Sequence, residues 1–267
     1  AVDAPVKLHF DYEEFMYISG KRCPTYFNGR LACDKDGKLT GLEYDGGMDH
    51  GAYSEQGDDL ITRLLRFACF TYNVPNVAGL ARVALTNHNY GVAYRGYGSP
   101  QTYTLTETMM DMLAEKAGID PFEFRFNNLL RPGEGTTINS YPPRDYVMEG
   151  IMNRARPIYQ KALAEAKKYD TPELRRGVGV ACGGYTVAKA GVDKCSIALE
   201  LAPDGKFVKY DTWQDVGQGG DIGSLMVTLE ALKPLGVTVE QIRLVQNDNK
   251  LCPDSGISAA SRSHYMN

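Results

Sequence analysis

The apolar positions of the chain repeat with two periods, and the switches between them divide it into elements. Residues 24–33 and 39–44 read as strands around Asp36-Gly37, a dipeptide that suits the left-handed turn of a hairpin, and residues 6–10 form a shorter strand pattern ahead of them. Leu60, Leu64, Leu65 and Ala68 then return every three or four residues, which predicts a short helix, with a strand over 83–85 behind it. Ser99-Pro100 opens a helix and Gly118 closes it, because a serine hydroxyl can accept from free N–H groups, proline suits the first helical position and glycine tolerates the left-handed exit. Its expected apolar face is Leu105, Met109, Met112 and Leu113. Asp120-Pro121-Phe122-Glu123 starts a second helix with capping-box spacing, and Arg131-Pro132-Gly133 stops it.

Residues 133–143, rich in Gly, Thr, Ser and Pro, predict a boundary. Beyond it the pattern gives a helix over 157–169 with Ile158, Ala162, Leu163 and Ala166 on one face, and strands over 177–185, 196–201 and 206–213, the last two joined at Pro203-Asp204-Gly205. A helix over 222–232 and a strand over 242–246 follow. No sequence repeat is visible. The expected architecture is α+β, with two mixed α/β subdomains over 1–140 and 141–267.

With 267 residues, of which 43% are hydrophobic and 23% charged, the chain can bury a substantial core. Its formal net charge of −4 supplies no bulk positive field for a phosphate backbone, which argues against nucleic acid as a partner. No run approaches the ~18 apolar residues of a bilayer span, so no membrane association is expected. Six cysteines, at 23, 33, 69, 182, 195 and 252, include no C-x-x-C pair and read as reduced thiols of a cytoplasmic protein. Nor do they converge in sequence as a zinc or iron–sulfur site would require, so no metal ligands are assigned within the chain.

Chemistry concentrates at three junctions rich in glycine and small residues, where backbone can approach a ligand closely. The first, residues 86–101, sets Arg95, Gly96 and Gly98 between a strand and a helix start, a place that suits an anionic or oxo ligand and equally a plain turn with a structural arginine. In the second, Gln218 stands between Gly217 and Gly219; Ile222 breaks G-x-G-x-x-G and no Gly-Lys-Ser/Thr follows, so nicotinamide dinucleotides and ATP are not supported. An amide there can donate to and accept from a heterocycle, though a tight turn explains the glycines as well. The third, residues 254–263, leads through Ser258, Ala260 and Ser261 to Arg262, the parts that hold phosphates, or a chain end. The four histidines lack ligand spacing, no G-x-S-x-G elbow is present, and Glu107 with Asp111 reads as a solvated pair of acids one helical turn apart.

In order, these stretches resemble the large subunit of the molybdenum hydroxylases, the family of xanthine dehydrogenases, aldehyde oxidoreductases and nicotinate dehydrogenases. The resemblance runs through Thr86-Asn87, residues 93–101, Glu107, Asp111, Ala114, residues 118–121, Arg125 and Asn128. Lys21-Arg22 and residues 72–77 lie upstream of it, and residues 217–219 and 259–261 downstream. It implies a molybdenum-cofactor-binding domain of that family's type, holding molybdopterin with molybdenum, as the bare pterin or its cytosine dinucleotide. By the same resemblance, backbone around Arg95 and Ala260 lines the metal, Gly217, Gln218 and Gly219 hold the pterin, and Gly96 and Tyr97 belong to the cofactor loop. Tyr97 also faces substrate, Ser258, Ser261 and Arg262 approach a phosphate, and Arg63 stands where purine hydroxylases orient substrate.

The implied activity is oxidation of an aldehyde to a carboxylate with water as oxygen source, with an N-heterocycle such as a purine or nicotinate as the alternative substrate and a non-catalytic cofactor-binding or assembly module as the rival reading. Iron–sulfur clusters are expected on other segments or subunits, as are the remaining large-subunit segments, and a homodimer is compatible. The family's upstream glycine/phenylalanine loop and its distal general-base glutamate are expected outside these residues, so this segment alone is expected to be inactive. Val216 precedes Gly-Gln-Gly where some members have histidine.

Overall fold

A computed structural model describes residues 4–53, 56–134, 146–185, 194–212, 215 and 217–256. By packing the chain forms two compact units, Ala1–Tyr185 and Thr186–Asn267. The division expected near residue 140 falls among residues outside those described, and the packing keeps the following helix and the 177–185 stretch with the first unit.

The first unit is built on a three-stranded sheet in the order β1-β2-β3. β1 (Thr25–Cys33) and β2 (Leu39–Gly51) are antiparallel, joined by the anticipated turn: Asp34 Oδ1 accepts from the N–H groups of Asp36 and Lys38, and Gly37 takes φ +77°. From β2 the chain crosses through α2 (Gly57–Phe67) into β3 (Val77–Leu85), parallel to β2 and longer than the 83–85 pattern suggested. α3 (Ser99–Ala117) packs on β1, close enough that a Cβ at Gly29 would lie 2.7 Å from the Met109 sulfur. α4 (Pro121–Asn127) follows, with Asp120 accepting from the N–H groups of Phe122 and Glu123 as its capping position predicts. The core gathers Leu39, Leu42, Tyr44, Met110, Ala114, Phe122, Phe124 and Leu129.

The second unit repeats this plan. β4 (Ala198–Leu201) and β5 (Phe207–Asp211) are antiparallel, α6 (Gly220–Leu232) crosses over, and β6 (Ile242–Gln246) lies parallel to β5. Even the exits correspond: Thr86 N–H donates to Gly51 O after β3, and Asn247 N–H donates to Asp211 O after β6. The repeat is one of topology and hydrogen bonding, and for that reason the residue sequence does not display it.

Several expectations are corrected. Residues 6–10 have no strand partner among the described residues; the first element is instead α1 (Tyr12–Ile18), started by a complete Asp11–Glu14 capping box. α5 (Met148–Lys168) begins well before Pro157, whose ring faces solvent so that the lost hydrogen bond is tolerated inside the helix. Its packed positions are Met152, Ala155 and Tyr159, while Ile158 is 70% exposed. Along α3 the buried line is Thr102, Thr106, Met110 and Ala114, one position round from the expected face, and Met112 is exposed. Residues 177–185 pair with no strand among the described residues; side chains from α3 engage two of their N–H groups, Cys182 N–H donating to Glu107 and Gly184 N–H to the Tyr103 hydroxyl at 2.9 Å.

Candidate functional site

The first glycine junction is a strapped, left-handed loop. Gly96, Tyr97 and Gly98 adopt φ of +84°, +42° and +89° in succession. Glycine does this freely, whereas a non-glycine residue there costs on the order of 1–3 kcal/mol and persists only where its surroundings hold it. They do so from two sides. Below the loop, Arg22 donates to Arg95 O at 2.6 Å and lies over the Tyr94 ring, and Lys21 exchanges backbone hydrogen bonds with Tyr90 and Val92. On the other side, the Tyr97 hydroxyl donates to Asp59 Oδ2 in the first turn of α2 and to Gln56 Oε1 at its cap, each at 3.0 Å.

Ser99 does not cap α3; its hydroxyl turns back and donates to Gly96 O at 2.6 Å, and Gly98 is the cap residue. That position demands glycine twice over, for its φ and because a Cβ would lie 3.2 Å from the Leu60 carbonyl oxygen. Gly98→Ala is therefore expected to destabilise the first unit by about 1–3 kcal/mol, read as a lower urea midpoint at unchanged m-value. An unaltered midpoint would refute the tight approach of this loop to α2.

Arg95 and Gly96 are exposed, Tyr97 is half-buried, and Arg63 is buried at 7% exposure beneath them on α2. Burial and the Asp59 carboxylate push the Tyr97 phenol far above its usual range, so it remains a donor through all ordinary pH. Tyr185 belongs to the same neighbourhood. It stacks on Phe67 with ring centroids 5.2 Å apart, and Arg63 and Asp59 both act on its phenol. Gln56, Asp59, Arg22 and Tyr185 are the members that sequence reading missed. Asp59 looked like an ordinary first-turn acid of a helix, and only the Lys21-Arg22 pair left a signal, as part of the family pattern.

The second junction places Gly217, Gln218 and Gly219 exposed at the start of α6. Asp215 organises it: its carboxylate accepts from the N–H groups of Gly217, Gly219 and Asp221 at 2.8, 3.3 and 3.1 Å, which holds it below the usual carboxylate range. At the helix start the N–H groups of the cap residue Gly219 and of Asp221 are thus already engaged by a side chain of the protein. Gln218 is exposed between two left-handed glycines, at each of which an added Cβ would meet nothing within 4 Å. An open backbone flanking an amide that both donates and accepts fits the edge of a pterin ring. Ser258, Ala260, Ser261 and Arg262 lie outside the described residues. Among the described residues no group of His, Cys, Asp and Glu could hold a metal ion, and no helix is long and apolar enough to cross a membrane.

Glu107 is not the solvated acid of the sequence pattern. It is buried and binds Arg125, itself 0% exposed: Arg125 Nε donates to Oε2 at 2.7 Å, the Tyr72 hydroxyl to Oε1 at 2.8 Å and Cys182 N–H to Oε2 at 3.0 Å. Asp111 completes the set at 2.7 Å from Arg125 from an exposed position. This cluster ties α3 to α4 and so fixes the helix on which the Gly96–Gly98 loop stands.

Two family models, each of a molybdopterin cofactor-binding domain, match the chain, one over residues 1–129 and the other over residues 154–267. The aldehyde oxidoreductase of Megalodesulfovibrio gigas is 41% identical over 266 residues, all of this chain and 29% of that protein. A putative xanthine dehydrogenase molybdenum-binding subunit of Escherichia coli is 29% identical over 98% of this chain and 35% of its own length. Among solved structures, the aldehyde oxidoreductase of Desulfovibrio desulfuricans superposes with a TM-score of 0.88 at 40% identity, covering 96% of this chain and 28% of that one. The chain thus spans about a third of the length of these relatives, or less.

Proposed function

Because the chain belongs to the molybdopterin cofactor-binding domain family of the molybdenum hydroxylases, we propose that it is the cofactor-holding part of an enzyme that oxidises aldehydes to carboxylates with water as the oxygen source. The observation that carries this reading is the 41% identity to an aldehyde oxidoreductase along the whole of this chain, and the left-handed glycines at both junctions are compatible with close approach of a ligand. Molybdopterin with molybdenum supplies the two-electron redox chemistry when bound. Gln218 and its flanking glycines hold the pterin edge, and the exposed backbone of Arg95 and Gly96 borders the metal end. Tyr97, clamped from α2, faces the substrate, and Arg63 supports that wall from beneath. Ser258, Ala260, Ser261 and Arg262 take the phosphate side. The general base, the iron–sulfur clusters and the rest of the cofactor grip are contributed by other segments or subunits.

Molybdenum and pterin analysis of the full-length parent, with dye reduction driven by aldehydes, xanthine or nicotinate, tests the reading. Stoichiometric molybdenum with turnover of aldehydes in preference to heterocycles is expected. Turnover confined to the heterocycles, or a parent that binds no pterin, would overturn it. Gln218→Ala in the same parent should lower pterin retention severalfold with at most a small change in the unfolding midpoint, since the residue is exposed and contributes little packing. Full pterin content in that variant would remove Gln218 from the site.

A further inference from the structure

The hydrogen bonds around Tyr97 have a direction that bears on what this wall can bind. Its single hydroxyl proton points toward α2, shared between Asp59 Oδ2 and Gln56 Oε1. The phenol oxygen is left with lone pairs, and the two groups that receive its proton are themselves acceptors, one of them a carboxylate. The backbone that carries Tyr97 is held by its left-handed glycine neighbours and by the Arg22 strap, and the two acceptors on α2 hold its hydroxyl. Within the reading that Tyr97 faces the substrate, a ligand at this position meets the lone pairs of a half-buried phenol whose proton is already engaged, and a ligand donor satisfies them where an apolar group does not.

We propose that Asp59, assisted by Gln56, is a specificity-determining residue that engages the Tyr97 proton and so fixes the Tyr97 oxygen as a hydrogen-bond acceptor. The site accordingly selects aldehydes carrying a hydroxyl or amino donor over apolar aldehydes of equal size. This rests on the aldehyde-oxidising reading above. The magnitude follows from the asymmetry of such sites: a pocket built to hydrogen-bond a substrate group rejects the analogue lacking it far more strongly than an apolar pocket rejects an added hydroxyl.

The test uses the full-length holoenzyme and a matched pair, 3-hydroxybenzaldehyde and 3-methylbenzaldehyde, with the corresponding benzyl alcohols as unreacting ligands for calorimetric Kd values. In the parent the kcat/KM ratio should favour the hydroxy aldehyde by about tenfold or more. Asp59→Leu should abolish that preference in kcat/KM and in Kd alike, at unchanged molybdenum content. Asp59→Asn should keep most of it, because an amide carbonyl still accepts from Tyr97. If Asp59→Leu folds poorly, Gln56→Leu at the exposed helix end should shift the ratio in the same direction by about threefold. Ratios equal to the parent's in both leucine variants, or a parent that prefers the methyl compound, would overturn the inference while leaving aldehyde oxidation intact. A parent that oxidises no aldehyde would remove the underlying reading and the inference with it.

Discussion

Replacement of Arg125 by leucine is expected to destabilise the first unit by about 3–5 kcal/mol, a large part of the total stability of a domain of this size. The reason is the charge left behind. Glu107 is buried with hydrogen bonds from Tyr72 and Cys182, and without the guanidinium its carboxylate keeps neutral donors but no counter-charge in a poorly solvated place. Asp111 offers no relief, being an acid itself. Urea unfolding followed by circular dichroism checks this, and a loss below about 1 kcal/mol would show that Glu107 is far better solvated than its burial indicates. The double change Arg125→Leu with Glu107→Leu should recover much of the stability, because removing both partners also removes the desolvation of both charges. Since the cluster anchors α3, the single variant should also loosen the Gly96–Gly98 loop, seen as faster hydrogen exchange there than in β1.

The second unit should respond as sharply to Asp211→Ala. Asp211 and Lys209 lie on β5 at 0% and 1% exposure, with Lys209 Nζ 3.1 Å from Asp211 Oδ2 and 2.8 Å from Ser224 Oγ. The Ser224 hydroxyl donates to Asp211 Oδ2 at 2.7 Å and Gln246 Nε2 donates to Oδ1 at 2.9 Å, so one carboxylate joins β5, α6 and β6. Its removal leaves a buried ammonium against a hydroxyl, for an expected loss of about 3–5 kcal/mol. Lys209→Met paired with Asp211→Leu should be much milder than either charge removed alone. Equal losses for the single and double variants would mean that packing volume, and not charge pairing, holds this centre. Gly219 caps α6 beside Gln218, so the Asp211→Ala variant should also lose pterin in the parent, in contrast to Gln218→Ala, which loses pterin with little destabilisation.

Much of this molecule follows from local physics that the chain carries in its letters. The Asp36-Gly37 turn, the glycine exit at 118, the Asp120 cap, the hairpin closed at Pro203-Asp204-Gly205 and the helix before Ile242 all depend on residues within a few positions of one another, and all are formed. The glycine junctions were legible for the same reason, since left-handed backbone is a property of the residue itself. Where local rules misled, a nearby alternative outcompeted them: the Asp11–Glu14 capping box gave a helix beside an unpaired strand pattern, and Pro157 did not stop a helix that could turn its ring to solvent.

What only the tertiary structure decided is which polar groups are buried and against what. Glu107 and Arg125 come from different helices, Tyr97 finds its acceptors on α2, and Lys209 is covered by a helix that follows it. A side chain's spacing along its own element says which face it occupies, while its charge state, partners and cost of burial depend on the element packed over that face. The two-fold recurrence of hairpin, crossover helix and parallel strand was hidden for the same reason. Topology is conserved by backbone hydrogen bonds that every residue can make, and the sequence needs to repeat only where glycine, proline or a cap is required.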